Sequence, residues 1–141
     1  MKKIFLPLVS AGFLLLNSSA FADKLSQSKI HFNSIADGDI SKLMGQYGDN
    51  ARLDWIGGPL DGSYSGEEEL RTVWRKFTKA LGPMQASVSN IKENSNPKGS
   101  TITADVLFKG NKTIPVRYTL LYRNNHIVSE IWQISPALAK K

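Results

Sequence analysis

The spacing of apolar residues after position 24 predicts two helices that follow each other closely. Apolar side chains recur at helical intervals in the first helix, at Leu25, Phe32, Ile35 and Ala36. Gly38 is expected to end this helix, because glycine readily takes the left-handed conformation that closes a helix. Asp39 can cap the second helix, which is expected over residues 40–47.

A third helix is expected to begin near residue 65. Its apolar residues fall on one face, at Leu70, Val73, Trp74, Phe77 and Leu81, and Gly82-Pro83 ends it. Ser65 followed by Glu68 is typical of a capping box. The acidic run that starts at Glu67 lies where the helix dipole favours negative charge, which explains it without a metal site.

Alternation of apolar and polar residues predicts strands in the rest of the chain. Residues 51–56 form the first strand, and the GGPLDGSYSG segment after it is expected to be an irregular loop. Four more strands are expected over residues 85–94, 100–108, 113–123 and 127–135, with turns rich in Asn, Gly and Lys between them. The pattern predicts an α+β domain in which the sheet wraps a layer of three N-terminal helices.

Residues 1–22 have the three parts of a secretory signal peptide. Two lysines precede an apolar run over residues 4–16, and Ala20-Phe21-Ala22 has the small first and third residues that a signal peptidase accepts. The apolar run is shorter than the roughly 20 residues that a membrane-spanning helix needs. We therefore expect cleavage after Ala22, a periplasmic or secreted protein without a stable membrane anchor, and a single mature domain over residues 23–141.

Composition argues against several kinds of partner and cofactor. The chain has no cysteine, which excludes disulfides and a lipid-attachment site. Its net charge of +6 includes Lys2 and Lys3 of the expected signal peptide, and no basic stripe interleaved with aromatic residues remains to bind nucleic acid. The two histidines lack the spacing of metal ligands, so we expect no metal and no other cofactor.

Several segments, taken in order, resemble the superfamily of nuclear transport factor 2-like proteins, with its ketosteroid isomerase and SnoaL-like branches. The segments are DGDI, GDNARLDW, SGEEELRTVWRKF, GNKTIPVRYTLLYRN and HIVSEIWQIS, and the match that they mark runs over nearly all of the mature chain. The resemblance implies a cystatin-like cone, in which a strongly curved antiparallel or mixed sheet closes over the helices. It also implies an internal pocket that takes small apolar molecules.

The catalytic residues of the ketosteroid isomerase branch are not retained. The resemblance aligns His31 with that branch's tyrosine acid, Trp55 with its aspartate base and Thr119 with its second aspartate. Asp54 does not replace the base, because it alternates with Leu53 and Trp55 and so points away from the apolar face. The fold therefore implies a pocket without implying a reaction.

Glu130 is the leading candidate for a general acid or base. Strand alternation puts it on one face with Val128, Trp132 and Ile134, and the resemblance makes that face the one lining the pocket. Burial among apolar side chains raises the pKa of a carboxyl toward the range where proton transfer is efficient. The alternatives are an ion pair with Arg117 on the neighbouring strand, or exposure at the rim of the sheet.

His31 is the second candidate catalytic residue. It shares a helix face with Ser28 and Ile35, so it can point toward the pocket and exchange a proton with Glu130 or with a ligand. The alternative is a packed histidine that makes an ordinary hydrogen bond. His126 lies at an Asn-rich turn and is expected to be solvated.

Aromatic residues supply the area to hold a flat apolar molecule, and they equally suffice to build a core. Trp74 is expected in the core. The expected ligand-binding residues are Trp55, Val106, Phe108, Arg117, Tyr118, Thr119 and Trp132.

Three functions remain open from the sequence. The first is a module that binds a small apolar or amphipathic molecule in the cone. The second is an acid/base isomerase, cyclase or dehydratase that uses Glu130 and His31. The third is a homodimeric interaction protein without catalytic activity, which uses the open face of the sheet.

Overall fold

The structure, a computed structural model, describes residues 24–140. The expected signal peptide and its cleavage site therefore lie outside the described residues. Within the described part of the chain, no helix combines the length and the hydropathy that crossing a membrane requires.

Two helices begin the described chain, as the spacing predicts. The first, α1, covers residues 24–37 and is followed by Gly38, whose φ of 71° is the left-handed conformation that glycine adopts without strain. The second, α2, is Ile40–Met44, and the Asp39 side chain caps it. It is shorter than expected, because a strand already begins at Tyr47.

Six strands form one mixed sheet. They are Tyr47–Ile56 (β1), Gly62–Ser65 (β2), Gln85–Asn96 (β3), Gly99–Lys109 (β4), Thr113–Arg123 (β5) and His126–Ile134 (β6). Their order across the sheet is β2-β1-β6-β5-β4-β3. β1 and β6 run parallel, and every other neighbouring pair is antiparallel. The sheet confirms the expected α+β class.

Three details of the expected fold are wrong. The third helix, α3 (Gly66–Leu81), follows β1 and β2, so the helices do not all precede the sheet. The GGPLDGSYSG segment is not wholly irregular, because Gly62–Ser65 pairs with β1. The capping box of Ser65 and Glu68 does not form, since the Ser65 amide donates to the Glu69 carboxylate at 2.8 Å.

Aromatic rings fill the space between α3 and the inward face of the sheet. Trp55 of β1 and Trp132 of β6 stack with their ring centres 4.4 Å apart, and Phe108 of β4 stacks on Trp132 at 5.1 Å. Trp74 and Phe77 of α3 meet Trp132 edge-on, at 5.6 and 5.0 Å. These five side chains are at most 4% exposed. The core is therefore most densely aromatic where β1, β6 and α3 meet.

A 3-10 helix, Pro136–Lys140, follows β6 and ends the described chain. It has no buried residues.

Candidate functional site

Glu130 is fully buried on the inward face of β6, where strand alternation places it together with Trp132. Exposure at the rim of the sheet is therefore the wrong alternative. The pairing of β5 with β6 shifts register near the start of β6, and Ile127 rather than Val128 lies in the core as a result. The remaining member of the expected inward face, Ile134, is partly buried against the core.

Three protein groups, an imidazole and two phenols, surround the Glu130 carboxylate. His31 Nε2 lies 2.7 Å from Glu130 Oε2, and both side chains are 0% exposed. The Tyr118 hydroxyl donates to the same oxygen, and the Tyr47 hydroxyl donates to Oε1. The two residues expected to act in catalysis are thus in direct contact, within a cluster that also contains two phenols.

The other ring nitrogen of His31 faces an amide oxygen. His31 Nδ1 lies 2.7 Å from Gln46 Oε1, which can only accept, so Nδ1 carries a proton and donates. The Gln46 amide nitrogen in turn donates to Ser34 Oγ at 3.5 Å, which agrees with this orientation of the amide. Gln46 therefore fixes the orientation of the His31 ring.

Both phenols of the cluster stay protonated. Burial raises the pKa of the Tyr47 hydroxyl well above its ordinary value of 10.0, and the negative charge of Glu130 adds to the effect. The indole nitrogen of Trp74 donates to the Tyr47 oxygen at 2.8 Å, which acts in the opposite direction. Burial and then Glu130 raise the pKa of Tyr118 in the same way. The two hydroxyls thus remain donors to the carboxylate.

The cluster contains the groups that acid/base catalysis uses, but its carboxylate is already occupied. A carboxylate, an imidazole and two phenols lie within hydrogen-bonding distance of one another. A substrate could reach Glu130 only by displacing one of its protein donors. Within residues 24–140, no group of three His, Asp or Glu side chains is arranged to hold a metal ion.

The expected ligand-binding residues divide between the two faces of the sheet. Five of them lie in the core and are at most 4% exposed: Trp55, Val106, Phe108, Tyr118 and Trp132. Arg117 and Thr119 lie on the outer face, so their expected position in the pocket is wrong. Alternation around the buried Tyr118 sends both of them outward. Arg117 pairs with Asp105 at 3.3 Å and not with Glu130.

Sequence reasoning missed Gln46 and Tyr47, because it assigned both to the end of the second helix. Alternation gives no signal for Tyr47, because Asp49 and Asn50 are both exposed and the pairing of β1 with β6 shifts register after Tyr47. Gln46 offered no signal either, since it lies in the turn before the strand. His126 is exposed at its turn, as expected.

The outer face of the sheet has an uncharged centre. Thr103, Thr119 and Ile131 lie side by side across β4, β5 and β6. Leu121 and Ser129 form the adjoining row on β5 and β6. All five side chains are partly exposed.

Ion pairs flank this uncharged centre on both sides. Arg117 and Asp105 form one of them. On the other side, Arg52 pairs with Asp54 at 3.0 Å, and the Ser63 hydroxyl donates to the same carboxylate. The hydrogen bonds from Arg52 and then Ser63 lower the pKa of Asp54. Asp54 thus points outward, as the alternation predicts.

The comparisons with known proteins identify the fold, but they find no protein related in sequence. The sequence matches no protein-family model and no curated protein. An NTF2-like protein of unknown function from Pseudomonas putida KT2440 superposes with a TM-score of 0.71 at 14% identity, over 82% of this chain and 87% of that chain.

Two further solved structures have the same architecture. A protein with a cystatin-like fold from Nostoc punctiforme PCC 73102 gives a TM-score of 0.68 at 13% identity, over 80% of this chain and 89% of that chain. A de novo designed protein with a curved β-sheet gives 0.61 at 18% identity, over 80% and 85% of the two chains. The chain therefore has the cystatin-like α+β fold of the nuclear transport factor 2-like proteins.

Proposed function

We propose that this chain is an exported, non-enzymatic interaction protein that forms a homodimer through the outer face of its sheet. The observation that carries the proposal is the filled interior. Aromatic rings pack against one another where the sequence suggested a pocket, and protein donors occupy both oxygens of Glu130. The outer face is then the broad surface left for recognition.

The centre of the outer face suits a contact with a second copy of the chain. In a two-fold dimer the same patch meets itself, so a charged centre would bring like charges together. Thr103, Thr119 and Ile131 offer uncharged, β-branched side chains there instead. Each flanking arginine already has an acidic partner on its own chain. Both arginines can therefore approach the copy while keeping their acidic partners.

Analytical ultracentrifugation of the purified protein tests this proposal, and we expect a dimer. Thr119→Arg places a charge at the centre of the patch and should give a monomer with an unchanged circular dichroism spectrum. Thr72→Arg makes the same change at an exposed position of α3 and should remain dimeric. A monomeric native protein, or a dimer that survives Thr119→Arg, would contradict the proposal.

Acid/base catalysis is a second candidate, favoured by the 2.7 Å contact between Glu130 and His31. Tyr47 lines an open cleft of about 520 Å³ while its hydroxyl donates to Glu130. Rotation of the Tyr47 side chain would therefore expose the carboxylate to that cleft. Glu130 would then take a proton from the carbon next to a carbonyl group, as an isomerase, cyclase or dehydratase requires.

Deuterium exchange at the α-carbon of cyclohexanone and cyclohexenone, followed by NMR in heavy water, tests this second candidate. If the protein is a catalyst, exchange should exceed the rate in buffer. Glu130→Gln should abolish this excess, whereas Glu68→Gln, which changes an exposed carboxylate on α3, should retain it. Exchange at the buffer rate for both ketones rules this chemistry out and leaves the interaction protein as the function.

An apolar ligand inside the cone has the least support of the three functions. The rings expected to line a pocket contact one another instead, with the centres of Trp55 and Trp132 only 4.4 Å apart. Binding there would require those stacked rings to separate. The separation would expose apolar surface that the closed core removes from water.

A further inference from the structure

A cleft of about 300 Å³ lies at one end of the sheet, outside the Glu130 cluster. It lies between the first turn of α1, the β3–β4 turn and the β5–β6 turn. We call it the end cleft, and its lining includes Lys24, Glu93, Lys98, Tyr122 and Asn125. Its walls combine polar and apolar surface in equal parts, in contrast to the aromatic interior.

The end cleft holds charges of both signs that do not pair with each other. Lys24 Nζ donates to Asn125 Oδ1 and lies 5.8 Å from the centre of the Tyr122 ring, so its ammonium group is held at the wall. Lys98 lies exposed at the β3–β4 turn. Within residues 24–140, neither lysine forms a salt bridge with Glu93 or with any other acid.

A serine hydroxyl, rather than a cation, contacts the carboxylate of Glu93. The Ser95 hydroxyl donates to Glu93 Oε2 at 2.6 Å. The Ser95 and Ser100 oxygens are 2.7 Å apart, and Ser100 is the donor because the single Ser95 proton is already used. Ser100 is only 6% exposed. The floor of the cleft thus fixes the carboxylate in place without neutralising it.

We propose that the end cleft binds a small zwitterion, with the ligand's carboxylate toward Lys24 and Lys98 and its ammonium group against Glu93. A simple anion would pair with the lysines but leave Glu93 unpaired beside it, and a simple cation would pair with Glu93 but lie close to two lysines. A molecule that carries both charges pairs with all three groups at once. Free amino acids and short peptides share this chemistry, and the size of the cleft suits either.

Three asparagines line the end cleft near its charged residues. They can bind the polar groups that lie between the carboxylate and the ammonium group of such a ligand. Asn96, Asn124 and Asn125 line the cleft, and each amide can both donate and accept hydrogen bonds. Asn124 and Asn125 have φ values of 50° and 63°, the left-handed conformations of the tight β5–β6 turn. The turn therefore presents these two amides on a short, well-defined backbone.

Isothermal titration calorimetry at low salt tests the proposal with defined probes. The probes are glycine, 4-aminobutyrate, 6-aminohexanoate and glycylglycine, and the controls with one charge are butyrate and butylamine. At least one zwitterion should bind about tenfold more tightly than both controls, with an affinity that falls as salt rises. Preference for an amino acid or for glycylglycine identifies the source of the ligand.

Two variants and two matched controls make the test specific to the end cleft. Glu93→Gln and Lys98→Met should each weaken binding of the best probe about tenfold without changing thermal unfolding. Glu68→Gln and Lys109→Met change exposed residues outside the cleft and should leave binding unchanged. The proposal is overturned if no zwitterion binds better than butyrate and butylamine, or if the control variants weaken binding equally. Either result leaves the proposed homodimer standing, because ultracentrifugation tests that proposal separately.

Discussion

One acid–base pair lies on the inward face of the sheet and another on its outer face. The two pairs differ in strength because the first is buried and the second is exposed. Glu130 and His31 are 2.7 Å apart and 0% exposed. Arg52 and Asp54 are 3.0 Å apart, and their side chains are 56% and 33% exposed. Water can replace either partner of the outer pair, whereas only protein donors surround Glu130. The comparison shows that contact distance says little about how strongly a fold depends on a pair.

Glu130→Gln should have the largest effect on stability. The amide keeps the size of the side chain but brings two N–H donors into a site that two phenol donors and the His31 imidazole already face. We expect a loss of about 3–5 kcal/mol in the free energy of unfolding, measured by urea denaturation. A loss below about 1 kcal/mol would mean that the inner pair behaves like a surface pair.

Tyr118→Phe should have the next largest effect, because it removes one donor from a buried carboxylate. We expect it to lower the free energy of unfolding by about 1.5–3 kcal/mol. Tyr64→Phe is the matched control, since the Tyr64 hydroxyl donates to an uncharged acceptor, the carbonyl oxygen of Leu60, at 2.6 Å. Equal losses in the two variants would show that the charge of Glu130 does not strengthen the bond.

High pH should weaken the inner cluster. The folded chain raises the pKa of Tyr47 and Tyr118 above 10.0, whereas the unfolded chain ionises them near that value. Their contribution to stability is therefore complete below pH 10.0 and is lost as the pH rises toward the folded pKa. Each phenol should add a slope of up to about 1.4 kcal/mol per pH unit.

Urea denaturation at a series of pH values above 10.0 measures this slope. Tyr118→Phe should reduce the slope by the share of one phenol. An unchanged slope in that variant would mean that other groups cause the alkaline loss of stability.

Asp54→Asn should have the smallest effect, although it replaces a hydrogen-bonded carboxylate by an amide as Glu130→Gln does. In a single chain the hydrogen bonds from Arg52 and Ser63 that lower the pKa of Asp54 are open to water, so both donors can be solvated once the charge is gone. We expect the urea midpoint at neutral pH to stay within experimental error when Asp54→Asn is added to the monomeric Thr119→Arg variant. If the urea midpoint shifted as much as it does in Tyr64→Phe, the exposed pair would contribute to stability as a buried hydrogen bond does, and the two pairs would not differ as proposed.

Strand alternation predicted which way the acidic residues point wherever the period of two is uninterrupted. It placed Asp54 outward on β1, and it put Glu130 on the face of β6 that the family resemblance made the inward one. It failed at the start of β6, where a shift in register buries Ile127 in place of Val128. An irregularity of this kind depends on the pairing between two strands, so the spacing within one strand does not reveal it.

Only one partner of Glu130, His31, was suggested by the sequence, through the helix face that it shares with Ser28 and Ile35. Tyr47 is separated from Glu130 by 83 residues, so its contact exists only once the sheet has closed. Charge suggested Arg117 as an alternative partner. Alternation applied to β5 as strictly as to β1 would have excluded Arg117, because its neighbour Tyr118 takes the inward position.

The three tryptophans of the chain lie close enough to behave as a single chromophore. The ring centres of Trp55 and Trp132 are 4.4 Å apart, and Trp74 lies 5.3 and 5.6 Å from them. At such separations the electronic transitions of indole rings couple and give a paired signal in circular dichroism. Because the three rings come from β1, β6 and α3, the signal disappears when these elements separate. The protein therefore carries its own optical reporter of the closed core.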